Sequence, residues 1–278
     1  MSTAHDALEA ATDALRAAGV DSPRLDAEIL LAEASGASRA ALAAAPATLL
    51  DPAATRAFAE FVRRRLRREP VAYITGRKGF RRIELTVDRR VLIPRPETEL
   101  LVELALELEP RNVLDVGTGS GAIAFAIADE MPLTTVVATD LYPDALEAAR
   151  ENAARLNLTG HVRLAHGTLA SGEFDLVVAN LPYVAEREWH QLEPELRDWE
   201  PRGALTPGPT GLEAIDALLG ELMVSPATSA RVVGLEVGEG QANTVADLVR
   251  RAGFAETEVR KDLAGIERVV VGRAEAQV

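Results

Sequence analysis

From Asn112 onward, apolar β-prone runs alternate with helical patterns, and this alternation limits the possible folds more than any other feature. Strands are expected at Val113–Val116, Thr135–Thr139, Val162–Ala165, Leu176–Ala179, Arg231–Val237, Thr257–Lys261 and Glu267–Val271. Helical spacing fits between most of them, at Ala122–Glu130, Pro143–Leu156, Leu212–Met223 and Gln241–Ala252. Such alternation implies an α/β chain with a mostly parallel, doubly wound sheet. Only Asp262–Ile266 joins the last two strands. A parallel pair needs a crossover of roughly a dozen residues or more, so these two must pair antiparallel.

The part before Asn112 reads differently. Residues 1–68 carry helical patterns only, with Leu25, Ile29 and Leu30 on one face and Phe58, Phe61, Val62 and Leu66 on another. Ser22-Pro23 and Asp51-Pro52 each place a capping residue before a proline at the first helical position. Residues 69–95 hold short β-prone pieces, Val71–Ile74, Phe80–Val87 and Val91–Ile93, around Gly76 and Gly79, and read as a β-hairpin linker. Pro94 and Pro96 punctuate the chain before an amphipathic helix over Thr98–Leu108. A helical domain (1–68), a linker (69–95) and a sheet domain (96–278) are therefore expected. The 278 residues suffice for two domains.

Composition removes several function classes. Without cysteine there are no disulfides or thiolate metal sites, and the four scattered histidines lack ligand spacing, so no metal is assigned. The Ala-rich start has acids but no basic, apolar leader, and no apolar run spans a bilayer; a cytoplasmic protein without membrane contact is expected. The net charge of −13 argues against stable nucleic-acid binding. Residues 63–95 run against that balance, holding 12 of the 30 Lys and Arg residues and only three acids. They are either a solvated helix face running into a linker or a docking surface for an acidic partner or RNA.

Gly117-Thr118-Gly119-Ser120-Gly121 sits between an expected strand and helix. There the backbone must turn tightly and approach a ligand without interference from Cβ atoms. Gly117-x-Gly119-x-x-Ala122 also satisfies the dinucleotide fingerprint, so the loop alone does not select a cofactor. Asp140 ends the next strand, where a carboxylate can take both ribose hydroxyls of an adenosine cofactor. Asp115, inside the first strand, can orient loop amides, meet a cationic cofactor group, or simply bond turn N–H groups.

Asn180-Leu181-Pro182-Tyr183 follows the strand Phe174–Ala179. Crevices past the carboxyl ends of parallel strands are where such sheets bind ligands. The Asn180 oxygen can accept one N–H of a planar NH2 group, and the Pro182 carbonyl, fixed by the ring, can accept the other. Tyr183 can stack on the amide plane and present its negative face to a sulfonium. An amide nitrogen is a poor nucleophile because its lone pair is delocalised. Two acceptors pulling on its N–H bonds free that lone pair. Holding the nitrogen about 3–3.5 Å from an activated methyl contributes up to roughly 7–11 kcal/mol. No strong base is needed. Asn180, Pro182 and Tyr183 are thus the candidate catalytic residues, and Asn180–Tyr183 the substrate grip.

These segments, with Glu69–Phe80, Val91–Glu103 (VLIPRPETELLVE), Glu200–Leu205, Thr210–Ile215 and Asp262–Arg273, resemble the bacterial release-factor glutamine methyltransferases of the PrmC type over nearly the whole chain. The resemblance implies a Rossmann-like class I methyltransferase sheet with a terminal antiparallel hairpin. It implies S-adenosylmethionine as donor, and as acceptor the glutamine of the Gly-Gly-Gln motif in class-1 peptide chain release factors, methylated at N5. By motif match, Gly117–Gly121, Asp140 and Asn180 would bind the cofactor, Asn180–Tyr183 the glutamine, and the helical domain would help dock the release factor. Two departures stand out. Leu181 occupies a position where the family usually has proline, and Asn-Leu-Pro-Tyr also resembles rRNA adenine dimethyltransferases, which keeps a nucleic-acid adenine N6-methyltransferase as the alternative. Thr168 and Leu169 stand where an Asp-aromatic pair is common; Leu169 can still pack on adenine.

Four further residues keep two readings each. Trp189 and Trp199 are loop anchors or a lid, and Arg95 and Glu97 either make ion pairs that fix the domain junction or contact cofactor. Glu236 ends a late strand, where it can cap the following turn.

Overall fold

The computed structural model describes residues 3–275, and the chain packs into two compact units. One comprises residues up to Arg77 together with 193–199; the other comprises 78–192 and 200 onward.

The first unit is helical: α1 (Ala4–Ala17), α2 (Pro23–Ser35), α3 (Arg39–Ala44), α4 (Pro52–Leu66) and α5 (Val71–Thr75), with Pro194–Trp199 (α9 in chain order). Both prolines start helices as the sequence indicates. Asp51 caps α4 by accepting the Ala54 amide, whereas Ser22 makes no side-chain cap to α2. The core gathers Leu8, Leu15, Leu30, Leu31, Phe58 and Ile74. Val71–Ile74 is helix and not the expected β-prone piece. Pro70 presets the first turn, and Gly76 in the left-handed region closes it. Most of the arginines between 63 and 95 form ion pairs. Arg63 meets Glu60, Arg64 meets Glu69, and Arg65 reaches both Asp26 and Glu195. In the second unit, Arg81 pairs with Glu130 and Arg90 with Asp88 and Glu151. This cationic run is therefore largely neutralised from within the chain.

The hairpin β1 (Arg77–Phe80) and β2 (Ile83–Thr86) forms its own two-stranded sheet. Val91–Ile93, expected as a β piece, forms no strand. The Ile93 amide instead donates to Glu200 at 3.1 Å. Helix α6 (Glu99–Leu108) leads into the large sheet: β3 (Asn112–Val116), α7 (Ala122–Glu130), β4 (Thr135–Asp140), α8 (Pro143–Arg155), β5 (Val162–His166), β6 (Gly172–Ala179), α10 (Glu213–Val224), β7 (Thr228–Glu236), α11 (Ala242–Arg251), β8 (Glu256–Lys261) and β9 (Glu267–Arg273). The strand order is β5-β4-β3-β6-β7-β9-β8. The first five pair parallel, and β9 runs antiparallel to both β7 and β8, as the short Asp262–Ile266 connection demands.

Strand alternation gives the sheet two apolar faces. Leu114, Val177 and Val233 pack with Ile215 and Leu218 of α10 and Val245 and Val249 of α11. On the other face, Leu101 and Leu104 of α6 press against the backbone at Gly234. The chain starts at β3, moves outward through β4 to β5, then returns to β6 on the other side of β3. That reversal opens a crevice at the carboxyl ends of β3 and β6.

Candidate active site

Three functional segments leave adjacent strand ends. Val116 is in register with Ala179 and with Thr139, so the glycine loop, the Asn180 corner and Asp140 emerge side by side. Between them lies a cleft of about 580 Å³, within the range of roughly 300–1,000 Å³ common for small-molecule sites. Gly117–Ser120, Asp140, Thr168, Asn180, Leu181 and Pro182 all line it. Gly121, Leu169 and Tyr183 are not among the lining residues. Gly121 precedes α7 and lies against the Phe125 ring. Leu169, expected against adenine, packs instead on the sheet core.

The loop is held from beneath. Asp115, fully buried, accepts the Thr118 hydroxyl at 2.6 Å and the Ala124 amide at 3.2 Å. Both contacts are local bonds to the loop and the helix that follows it. Its second oxygen has no partner, and burial pushes its pKa up to about 7. Asn152 of α8 adds a clamp, donating to the carbonyls of Ser120 and Thr86. Asp140 accepts the Gly119 amide and the Tyr142 amide, each at 2.9 Å. Burial raises its pKa, and those amide bonds counter the rise.

The second corner rests on its own supports. Asn180 donates Nδ2 to the Thr98 hydroxyl at 2.9 Å, which leaves its acceptor oxygen as the end available to the cleft. The Tyr183 carbonyl accepts Gln241 Nε2 at 2.9 Å. Burial pushes the Tyr183 phenol up to about 12, so it stays neutral. Leu181 fills the space above Gly117: a Cβ on that glycine would meet Leu181 Cδ2 at 2.9 Å. With φ of +73°, Gly117 is where the loop needs a residue without a side chain. Leucine at 181 thus knits the two corners together.

Arg95 forms an ion pair with Glu200, a buried carboxylate that also holds the Ile93 amide, so the proline-rich run is pinned by the Glu200–Leu205 segment. Trp189 stacks under Arg202 at 4.9 Å. Trp199 donates to the Arg67 carbonyl within the helical unit. Both contacts suit loop anchors. Thr98, Asn152, Glu200 and Gln241 escaped functional assignment from sequence. Their partners lie far along the chain, and spacing carries no signal for such contacts.

The residues fit an adenosine sulfonium cofactor on three observations. The glycine loop leaves its backbone open to the cleft. Each Asp140 oxygen retains a lone pair beyond its amide bond. Thr206 Oγ1 is buried in the cleft wall with no hydrogen-bond partner, so a ligand polar group could satisfy it.

Comparison with known proteins agrees with this geometry. Residues 6–76 match the PrmC N-terminal domain, and residues 96–193 match the methyltransferase small domain. A release factor glutamine methyltransferase of Caulobacter vibrioides is 41% identical over 273 residues, covering 95% of this chain and 93% of that protein. Another, from Burkholderia pseudomallei, is 42% identical over 288 residues, covering 98% and 99%. Among solved structures, the hMettl16 catalytic domain with a MAT2A 3′UTR hairpin aligns with a TM-score of 0.57 at 13% identity, over 70% of this chain and 76% of that one. The N-terminal domain of human METTL16 in complex with SAH aligns at 0.50 and 13%, over 69% and 76%. These two likenesses are of fold. No helix among the described residues is long and apolar enough to cross a membrane.

Proposed function

The chain belongs to the release factor glutamine methyltransferases, and from that premise we propose how its residues perform the reaction. It transfers a methyl group from S-adenosylmethionine to the side-chain amide nitrogen of glutamine in release factors. The acceptor is the glutamine of the Gly-Gly-Gln motif in class-1 factors. Gly117–Ser120 of the loop and Asp140 hold the nucleoside, with Asp140 accepting from the ribose hydroxyls. The sulfonium supplies an electrophilic methyl whose leaving group is a neutral thioether.

The observation that carries this reading is the orientation of Asn180. Its NH2 is committed to Thr98 and its oxygen is left for the cleft, beside the glycine loop. That oxygen accepts one N–H of the substrate amide, and the Pro182 carbonyl accepts the other. Held this way, the nitrogen lone pair would face the methyl that a bound sulfonium would present. On transfer the N–C bond would form as the C–S bond breaks, and the amide nitrogen, made positive, would release its proton to water. Tyr183, whose ring lies beside Gly238, is assigned to the substrate seat next to Pro182. The helical unit is assigned to docking the release factor.

Two measurements test this. After incubation with a class-1 release factor and S-adenosylmethionine, mass spectrometry should find one added methyl on the Gly-Gly-Gln glutamine. Methyl recovered only on adenine of ribosomal RNA in a parallel reaction would overturn the reading. For the cofactor, Asp140→Ala should weaken S-adenosylmethionine binding by about 10–100-fold in calorimetry, since a charge-assisted hydrogen bond contributes about 1.5–3 kcal/mol. An unchanged affinity would remove Asp140 from the cofactor site.

A further inference from the structure

Glu236 ends β7 with 1% of its surface exposed, and its Oε2 has no hydrogen-bond partner. Burying a carboxylate oxygen without a partner costs free energy, and a residue kept at such a cost points to a functional role. Ala179 is in register with Leu235, so Glu236 and Asn180 leave neighbouring strand ends, and the Thr98 hydroxyl, 4% exposed in the turn Pro96–Thr98, interacts with the Glu236 carboxylate. Thr98 in turn accepts the Asn180 NH2 at 2.9 Å. Three side chains from β7, the proline-rich turn and the β6 corner therefore form one chain of hydrogen bonds.

The direction of that chain is fixed at its buried end. An ionised carboxylate can only accept, so Thr98 must give its one proton to Glu236. The hydroxyl then has only lone pairs to offer Asn180, and Asn180 must face it with its nitrogen. The carboxamide oxygen is left pointing to the cleft. We infer that Glu236 is a positioning residue for methyl transfer: through the Thr98 hydroxyl it sets which end of the Asn180 carboxamide meets the substrate amide. This rests on the substrate role given above to Asn180.

The same chain makes the orientation dependent on protonation. Once protonated, Glu236 can donate to Thr98, whose proton is then free to turn toward Asn180. The carboxamide can now flip and offer its NH2 to the substrate, where two donors would face each other. Burial pushes the Glu236 pKa up to about 7; the Thr98 bond and the charges of Arg268 and Arg95 oppose the rise, and Glu97 adds to it. Tyr183, the other titratable group facing Glu236, is neutral at these pH values.

The test compares wild type with Glu236→Gln, Thr98→Val and Thr98→Ser, using a release factor as substrate. Glu236→Gln and Thr98→Val should each lower kcat on the order of 10²-fold with S-adenosylmethionine affinity retained. Thr98→Ser keeps the hydroxyl and should stay close to wild type. The wild-type rate should rise with pH through about 7, and this limb should vanish in Glu236→Gln. In the protein without substrate, the Asn180 side-chain NH2 resonances should shift over the same pH range in wild type and stay fixed in Glu236→Gln. If wild type methylates glutamine and Glu236→Gln matches its rate and pH profile, the inference is wrong. It is also wrong if Thr98→Ser is as slow as Thr98→Val. A wild type that leaves glutamine unmodified would instead overturn the assigned reaction, and the NH2 titration would still report on the chain.

Discussion

Asn180→Ala is expected to lower methyl transfer on the order of 10²–10³-fold while S-adenosylmethionine affinity stays nearly unchanged. The loss should fall on kcat. Removing one preorganised hydrogen-bonding group at the reacting centre typically costs this much, and here the same oxygen also aligns the nitrogen with the methyl. Cofactor binding should survive because Asp140 and the loop keep their own supports: Asp115 beneath, Asn152 behind and the Gly119 amide bond. Asn180→Asp separates shape from polarity. The aspartate has nearly the same size and can still accept, but it cannot donate to Thr98. Thr98 would then face two carboxylates with one proton to share. Its rate should fall almost as far as that of the alanine variant. A rate within about tenfold of wild type for Asn180→Ala would leave the corner without its main chemical role.

The buried acid behind that corner lowers stability in the functional pH range. The Glu236 pKa moves from 4.5 to about 7. Between those values the folded protein holds a proton that the unfolded chain has lost. Folding stability therefore falls as pH rises through the window. The full shift corresponds to roughly 3 kcal/mol once the group is ionised. Glu236→Gln should then be no less stable than wild type at pH 8, even as it slows turnover. Higher stability with lower activity is the pattern of a residue retained for function.

The sequence disclosed the sheet because each strand is a run of apolar residues bounded by turn signals. Asp262–Ile266 disclosed the antiparallel end because chain length alone forbids a crossover. Val71–Ile74 misled because a short apolar run has no period long enough to distinguish strand from helix. Asp140 was legible as a polar residue at a strand end. Leu169 was not, because only the packing shows it half-buried against the sheet core. The Glu236–Thr98–Asn180 chain was invisible for a different reason. Each member looks ordinary in its own segment, and only the sheet order, with β6 beside β7, brings them together.

Gly211→Ala should dismantle the substrate corner without touching a ligand. Gly211 has φ of +83°, a conformation costing a side-chain-bearing residue about 1–2 kcal/mol. A Cβ there would lie 2.4 Å from the Tyr183 carbonyl oxygen and 3.0 Å from the Ala185 nitrogen. Both are backbone atoms and cannot swing aside. Overpacking of this kind costs about 1–3 kcal/mol more. The Tyr183 carbonyl already accepts Gln241, whose Nε2 would also lie 3.1 Å from the new methyl. Relief therefore requires the Tyr183 segment to move, and it carries the Pro182 carbonyl with it. We expect a melting temperature lower by several degrees and a kcat reduced on the order of 10²-fold, since a displacement near 1 Å suffices for that. Cofactor affinity should change far less, because the glycine loop and Asp140 leave different strands. Gly220 in α10 is the internal control: a Cβ there meets nothing within 4 Å, and alanine should stabilise the helix by up to about 1 kcal/mol. If Gly211→Ala melts and turns over like Gly220→Ala, the Tyr183 segment is not held rigidly enough for its carbonyl positions to matter.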